Sequence, residues 1–445
     1  MSQFHVAVVG AGPAGLYAAK KLSENGVSVA LFNRDIKPGG LAEYGIYHDK
    51  HKMKEGLRKQ FRSLLTDCGI RYYGNVTIGA QGDLSLDDLR GLGFDAILVA
   101  AGAQGTKSLG LPGEDLQGVY HAKDLVYHYN LLPPYSQQEI RVGSRAVIVG
   151  VGNVMMDIAH WLIREKGIET VTAVARRGPS EVKFDKGEMK IVGRNLDQVA
   201  LDAELARCRP IMEAIHQSVD DARDEILLGV PGALEPVTAT RFLLQFLASP
   251  TAILGEDGVV AGIEVEDTTL VKSGDDVKAR GLGTRRVIPA DTVVFAIGDQ
   301  VDENFGLPVK WYAFVKNPNP AFPVEGHSYE AYDPERDAPI PGVFVAGWSR
   351  EASTGLVGVA RKDGTDGALA VLAYLKTQQP AVENIFGALE ARLSRLAKPV
   401  ISREAWAALE AAEAEVARER GVTFFKYATN EEMLDAIARR TGQPA

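Results

Sequence analysis

Cysteine is nearly missing from this chain: only Cys68 and Cys208 occur in 445 residues. They stand far apart and form no CxxC pair. That excludes a disulfide framework, a redox-active dithiol, a zinc ribbon and an iron–sulfur cluster. The usage fits a reducing cytosol. Long apolar runs are missing as well, and none approaches the ~20 residues that a membrane span needs. There is no cationic surplus: the formal net charge is −9, which argues against general nucleic-acid binding. The opening MSQFHVAVVGAG enters a strand pattern at once, so no leader peptide is expected. The expectation is a soluble cytoplasmic protein of two or three domains, binding neither nucleic acid nor membrane, and a monomer or homodimer.

Glycine, in contrast, is plentiful, with 46 residues, as expected where backbone must approach ligands closely. VAVVG (6–10) reads as a buried strand, PAGLYAAKKLSENG (13–26) as a helix and VSVALFN (27–33) as the next strand. Strands separated by helices imply a parallel sheet covered by helices. DAILVAAGA (95–103) closes this region, and LPGEDLQGVY (111–120) reads as a linker. The pattern then restarts with RAVIVG (145–150), NVMMDIAHWLIREKG (153–167) and TVTAVARRG (170–178). DTVVFAIGD (291–299) matches DAILVAAGA in kind: an apolar strand, a small residue, then glycine. IPGVFVAGW (340–348) is a further strand, followed by STGLVGVARKDGTDGALAVLAYL (353–375), a glycine-flanked turn running into a helix. The rest, about 378–445, is charged and helical, with Ser402 as a cap and capping-box spacing at Thr429 and Glu432.

Gly10, Gly12 and Gly15 complete a GxGxxG between strand and helix. The first glycine permits the tight turn, the second admits a pyrophosphate, and the third lets helix and strand pack closely. The helix N-terminus adds unpaired N–H groups and partial positive charge. The acid expected at the end of the following strand is replaced by Asn33, which could hydrogen-bond a ribose without charge assistance. A second turn carries Gly150 and Gly152, with Met155 where the third glycine belongs. The next strand ends in Arg176 and Arg177, where an NAD site would place a carboxylate and where arginine accommodates a 2′-phosphate. At roughly 1.5–3 kcal/mol per charge-assisted bond, the pair could supply about 3–6 kcal/mol of preference for NADP(H). One dinucleotide cradle for a flavin and one for a nicotinamide would serve electron transfer between them.

The motifs GAGPAG (10–15), GGLAEYGI (39–46), GNVTIG (74–79), GVGNVMMD (150–157), ARRGPSEVKF (175–184) and AGWSREASTGLVG (346–358) occur in this order. Together they resemble the adrenodoxin-reductase-like ferredoxin–NADP(+) reductases, over about residues 4–377. The related small subunit of glutamate synthase adds a cysteine-rich domain whose cysteines this chain lacks. The resemblance implies that Gly10, Gly12, Pro13, Ala14, Gly15, Asn33, Gly40, Leu41, Val76 and Gly102 line the FAD site. It brings Trp348, Gly355, Leu356 and Val357 to the isoalloxazine, where a helix N-terminus favours negative charge on reduced flavin. Gly152, Asn153 and Val154 would hold the NADP pyrophosphate. Arg176 and Arg177 would hold the 2′-phosphate, with Glu188 on the adenosine side, and Trp348 and Gly355 would also meet the nicotinamide. Asp157 and Lys50 are implied near the flavin as candidate catalytic residues, although an acid in that helical turn also complements the dipole. The family has an acid at Asn33, a small residue at Met155, and GWxKRGPTG where GWSREASTG stands here.

The implied fold class is α/β: two dinucleotide-binding Rossmann-like domains, the NADP domain (114–324) inserted in an FAD domain (1–113 and 325–377), with a helical extension (378–445). The implied function is an FAD-containing NADPH reductase delivering electrons to a ferredoxin-type carrier. Lys183, Lys186, Lys190 and Arg194 could steer such an acidic partner. Two alternatives stay open at this point: a flavin oxidoreductase acting on an organic substrate, and a reductase subunit of a larger, glutamate-synthase-like complex. His48 and His51, in YHDKHK, read as a polar loop rather than a metal site.

Overall fold

Apolar strands such as HVAVV and RAVIV are buried on both faces, and that requirement organises both halves of the chain. The structure is a computed structural model describing residues 3–274, 276–380 and 385–442. It divides into two units: Met1–Lys107, Tyr127–Gln137 and Gly298–Ala445 form the first, Ser108–Val126 and Gln138–Ile297 the second. Among the described residues no helix is long and apolar enough to cross a membrane.

The first unit is built on a six-stranded sheet in the order Glu330–Asp333, Ala338–Val345, Ala96–Val99, His5–Val9, Ser28–Phe32, Arg71–Tyr73. All neighbours run parallel except the outermost Glu330–Asp333 strand. Helices Pro13–Glu24 and Val357–Leu375 cross on one face, where glycines replace side chains. A Cβ on Gly364 would lie 2.0 Å from the Ala14 carbonyl oxygen. The C-terminal helices complete both faces of this core. Phe386, Leu389 and Leu393 pack with Ile97 and Val99, while Trp406, Leu409, Met433 and Ile437 join the cluster of Leu16, Leu22 and Leu98. The tail is thus a structural part of the first unit. Ser402 caps Arg403–Glu419 by accepting from the Ala405 amide, and Thr429 and Glu432 form the expected reciprocal capping box. Of the expected helical segment, 381–384 and 443–445 lie outside the described residues.

The second unit holds a five-stranded parallel sheet in the order Val119–His121, Thr292–Phe295, Arg145–Val149, Thr170–Val174, Arg241–Gln245. Part of the segment read as a linker, 119–121, is therefore a strand. A three-stranded antiparallel sheet, Ala248–Glu256, Val259–Ser273 and Asp276–Pro289, packs on it through Ile253, Val260, Ile263 and Val265. Nothing in the sequence reading anticipated this long hairpin. The helix after the second glycine turn is regular over Asn153–His160 and widens to a π-helix over Trp161–Lys166.

Two alanine substitutions should act with opposite signs in denaturant unfolding. Gly364→Ala must displace backbone at the helix crossing and should destabilise the first unit by about 1–3 kcal/mol. Gly56→Ala, in an exposed helix position where a Cβ meets nothing within 4 Å, should stabilise it by about 0.5–1 kcal/mol.

Candidate functional site

The first glycine turn is closed by backbone. Gly10 has φ +104°, and a Cβ on it would stand 2.3 Å from the Ala100 carbonyl oxygen. A Cβ on Gly15 would stand 1.8 Å from the Gly10 carbonyl oxygen. Gly12 is different, because a Cβ there meets nothing within 4 Å. It borders open space at the start of helix Pro13–Glu24, and no side chain caps that helix. Its first amides are therefore unbonded within the helix and face a ligand position. Gly40, at φ +51°, approaches from the other side, and a Cβ on it would be 3.1 Å from the Gly12 Cα. Leu41 begins the short helix that follows. The cradle is shaped for an extended anionic group to lie along glycine backbone.

Asn33 sits behind this turn and is buried. Its Oδ1 accepts from the Ala11 amide at 3.2 Å. Its Nδ2 donates to the carbonyls of Asp35 and Lys37 at 2.8 and 3.0 Å. The side chain therefore ties the glycine turn to the 35–37 loop. Val76, also buried, donates its amide to the Asn33 carbonyl at 2.9 Å.

The strand ending at Val99 delivers Gly102, at φ +77°, beside the GWS turn. The buried Ser349 hydroxyl accepts from the Gly102 amide at 3.0 Å and lies 3.3 Å from its carbonyl. Asp363 fixes the same turn. Its carboxylate accepts from the Gly347 amide at 2.5 Å, from Arg350 Nε and Nη2 at 2.9 and 2.5 Å, and from the Tyr329 hydroxyl at 3.1 Å. Burial and the Asp363 carboxylate push the Tyr329 phenol upward, so it stays a donor. Trp348 donates Nε1 to the Thr354 carbonyl at 2.9 Å, closing the 348–354 loop. Gly355 has φ +72°, and Leu356 caps helix Val357–Leu375 without a side-chain bond. Leu356 is 75% exposed and Val359 52%. An uncapped helix N-terminus bearing bare apolar side chains suits a flat ring that carries negative charge on one edge.

The second unit repeats the construction. Gly150 has φ +130°, and a Cβ on it would stand 2.4 Å from the Ala296 carbonyl oxygen. Ala296 follows strand Thr292–Phe295 as Ala100 follows Ala96–Val99. Gly152 again borders open space and caps an otherwise uncapped helix. Asn153 accepts from the Asp185 amide at 3.0 Å, and Val154 is exposed. Met155 is wholly buried. The first helical bond here, Met156 N to Gly152 O, is 3.3 Å, against 3.0 Å for Leu16 N to Gly12 O.

Arg176 is exposed, and no ion pair holds its guanidinium among the described residues. Arg177 is half-buried, with Nη1 3.2 Å from Glu181 and 3.9 Å from Asp276 on the long hairpin. That hairpin also supports the arginine turn: the Thr268 hydroxyl donates to the Arg176 carbonyl at 2.7 Å. Glu188 lies in the first turn of helix Lys186–Val192. Asp157 and Lys50 are both half-buried, Lys50 capping helix His51–Asp67. Tyr47 stacks on His48, and His51 tilts against Phe424. Lys183, Lys186, Lys190 and Arg194 are all exposed. Asp363 and Ser349 escaped the sequence reading, because a lone acid or serine among helix and turn residues carries no local motif.

Residues 4–196 match the family model described as pyridine nucleotide-disulphide oxidoreductase. The chain is 29% identical over 420 residues to the NADPH-ferredoxin reductase FprA of Mycobacterium leprae, covering 86% of this chain and 84% of that protein. It is 29% identical over 387 residues to the mitochondrial NADPH:adrenodoxin oxidoreductase of Arabidopsis thaliana, covering 79% and 78%. The structure of Mycobacterium tuberculosis FprA in complex with NADPH superposes with a TM-score of 0.82 at 25% identity, covering 98% of this chain and 99% of that one. With two cradles of one construction and an arginine pair beside the second, the chain is a homologue of proteins named NADPH-ferredoxin reductase and NADPH:adrenodoxin oxidoreductase.

Proposed function

We propose that the chain is an FAD-dependent NADPH reductase that passes electrons to a ferredoxin-type iron–sulfur protein. The observation that carries this reading is the pair of cradles: the same glycine turn twice, with an arginine pair after the strand of the second, whereas the single arginine after the strand of the first, Arg34, is tied to Asp35 at 3.1 Å. Oxidoreductase chemistry with FAD and NADP(H) agrees with the relatives, which are named for NADPH and for ferredoxin or adrenodoxin.

In this reading the first unit holds FAD. The backbone of Gly10, Gly12, Pro13, Ala14 and Gly15, with Gly40 and Leu41 opposite, receives the pyrophosphate. Asn33 and Val76 shape the loop behind it. Gly102, Trp348, Gly355, Leu356 and Val357 border the ring, and the helix starting at Val357 favours charge there. The second unit holds NADP(H) along Gly152, Asn153 and Val154, with Arg176 and Arg177 on the 2′-phosphate and Glu188 nearby. Trp348 and Gly355 are also the residues we assign to the nicotinamide. When bound, the two coenzymes supply a two-electron donor and a store that releases electrons singly. The protein's part is to hold them, exclude water and fix local charge. Asp157 and Lys50 are our candidates for proton handling. The exposed lysines of 183–190 and Arg194 offer an acidic carrier a basic docking face.

Purified protein should be yellow, should bleach when titrated with NADPH under argon, and should then reduce a ferredoxin. Colourless protein, or flavin bands untouched by NADPH, would overturn the proposal. The double substitution Arg176→Ala, Arg177→Ala should raise the Michaelis constant for NADPH by one to two orders of magnitude, from the loss of charge-assisted bonds worth roughly 1.5–3 kcal/mol each. NADH should change little, and an equal loss with both coenzymes would count against the clamp. Glu181 competes with a phosphate for Arg177, so Glu181→Gln should lower the NADPH Michaelis constant severalfold and leave NADH alone. A rise would instead make Glu181 a support for the arginine.

A further inference from the structure

Behind the Gly39–Gly40 turn lies a buried ionic cluster drawn from five separate stretches of the first unit. Glu43 accepts two bonds from Arg58, at 2.7 and 2.8 Å, and stands 2.6 Å from the Lys426 ammonium and 3.8 Å from that of Lys37. Lys37 pairs with Glu413 at 2.5 Å. Lys426 also donates to the Asn130 carbonyl at 3.1 Å, while Lys54 bonds the Asn130 side chain. All seven residues are buried. Two of the charges, Glu413 and Lys426, come from the C-terminal segment, for which the sequence offered no role.

The cluster is wired to the flavin cradle at short range. A Cβ on Gly39 would sit 3.0 Å from the Glu43 Cβ, and the Gly39 amide donates to the Ala11 carbonyl at 2.8 Å. Lys37 lies in the loop that Asn33 ties to Ala11. The C-terminal segment reaches the same loop by a second route. Ile401 exchanges both backbone bonds with Gly74, at 2.8 and 2.9 Å, and Asn75 donates to the Pro399 carbonyl at 2.9 Å. The amides of Asn75 and Val76 in turn hold the carbonyls of Asp35 and Asn33.

We propose that the C-terminal segment is part of the flavin cradle, with Glu413 and Lys426 as positioning residues that hold the loop of Lys37–Glu43 in the shape that admits the pyrophosphate. This rests on the flavin reading of the first unit. The charge count supports it. Lys37, Lys54, Arg58 and Lys426 share the buried carboxylates Glu43 and Glu413, with the exposed Glu55 3.8 Å from Arg58 at the edge and Glu410 near Lys37 but paired with Arg62, and surplus buried cations are costly unless an anion offsets them. Burial pushes Glu43 up, but Lys426, Lys37 and Arg58 outweigh it and hold the carboxyl well below its usual range. Burial brings Lys54 down to about 7 and Lys426 down to about 8 despite the Glu43 carboxylate. A pyrophosphate held by Gly40, three residues in the chain from both Lys37 and Glu43, would add negative charge at this loop.

The test uses the full chain with its flavin. Lys426→Met and the milder Glu413→Gln are compared with Lys426→Arg as the conservative replacement. Met433→Ala, a cavity in the same segment away from the cluster, serves as a packing control. Flavin release on dilution is read by FAD fluorescence, beside thermal unfolding and the Michaelis constant for NADPH. Lys426→Met and Glu413→Gln should raise the FAD dissociation constant tenfold or more while the NADPH constant holds. Lys426→Arg should stay within about threefold of wild type, and Met433→Ala should lower the melting temperature without that loss of flavin. If wild-type protein holds FAD but the two charge variants release it no faster than Met433→Ala, the positioning role is refuted. If wild-type protein binds no FAD, it is the flavin reading that has failed.

Discussion

Everything in this molecule depends on backbone lying against backbone where no side chain fits. The Gly10 carbonyl occupies the space that a Gly15 Cβ would need, and the Ala100 carbonyl occupies that of Gly10. Helix Val357–Leu375 then lays Gly364 on the Ala14 carbonyl, in the first turn of the same helix that starts the cradle. Three elements thus meet within one turn's reach, and none can move without displacing another. The position left open is Gly12, with Gly40 across from it. Rigidity around a gap is what a long, charged, flexible ligand needs, because the protein then bears little ordering cost at binding.

Charge is arranged by the same logic, with carboxylates used as internal ties. Asp363 gathers the Gly347 amide, the Arg350 guanidinium and the Tyr329 hydroxyl. It sets the turn that carries Trp348 without needing to touch a coenzyme. Glu43 does likewise for the loop opposite Gly12. A buried carboxylate is tolerated only when donors surround it, so each such group forces several chain segments into one relative placement. In the second unit the tie is looser. Glu181 and Asp276 approach Arg177 from a turn and a hairpin, and the arginine stays partly exposed. That looseness suits the proposed role of Arg177, in which the arginine exchanges Glu181 for a phosphate.

The glycine turns, the strand-and-helix order, the Arg pair and the caps of the C-terminal helices could be read from the sequence, because each is a local device with a fixed spacing. The Gly10–Ala100 and Gly150–Ala296 contacts show why DAILVAAGA and DTVVFAIGD look alike: each strand must end in a small residue over a glycine. The antiparallel hairpin of 259–289 was not foreseen, since its outer half is polar on both faces and carries no clean alternation. The buried cluster was invisible for a different reason. Lys37, Glu43, Arg58, Glu413 and Lys426 look like ordinary solvated charges, and only the fold brings the last two within reach of the first three.

Asn33 shows how a departure from a motif can be required by its surroundings. A carboxylate at the end of this strand would suit a ribose hydroxyl, and the fingerprint expects one. Here the side-chain nitrogen donates to the carbonyls of Asp35 and Lys37 and lies 3.4 Å from the Tyr72 hydroxyl, which itself donates to the Ile36 carbonyl. An acid would set a second acceptor against both carbonyls; that of Asp35 would keep the Asn75 amide, but the buried one of Lys37 would lose this donor, a penalty of roughly 1–3 kcal/mol. An amide, with an acceptor oxygen and two N–H donors, can accept from Ala11 on one side while donating twice to the loop on the other. Where the fingerprint places a charged side chain, this chain carries a neutral brace within itself. That brace lies on the path linking the glycine turn, the 35–37 loop and the C-terminal segment that packs behind it.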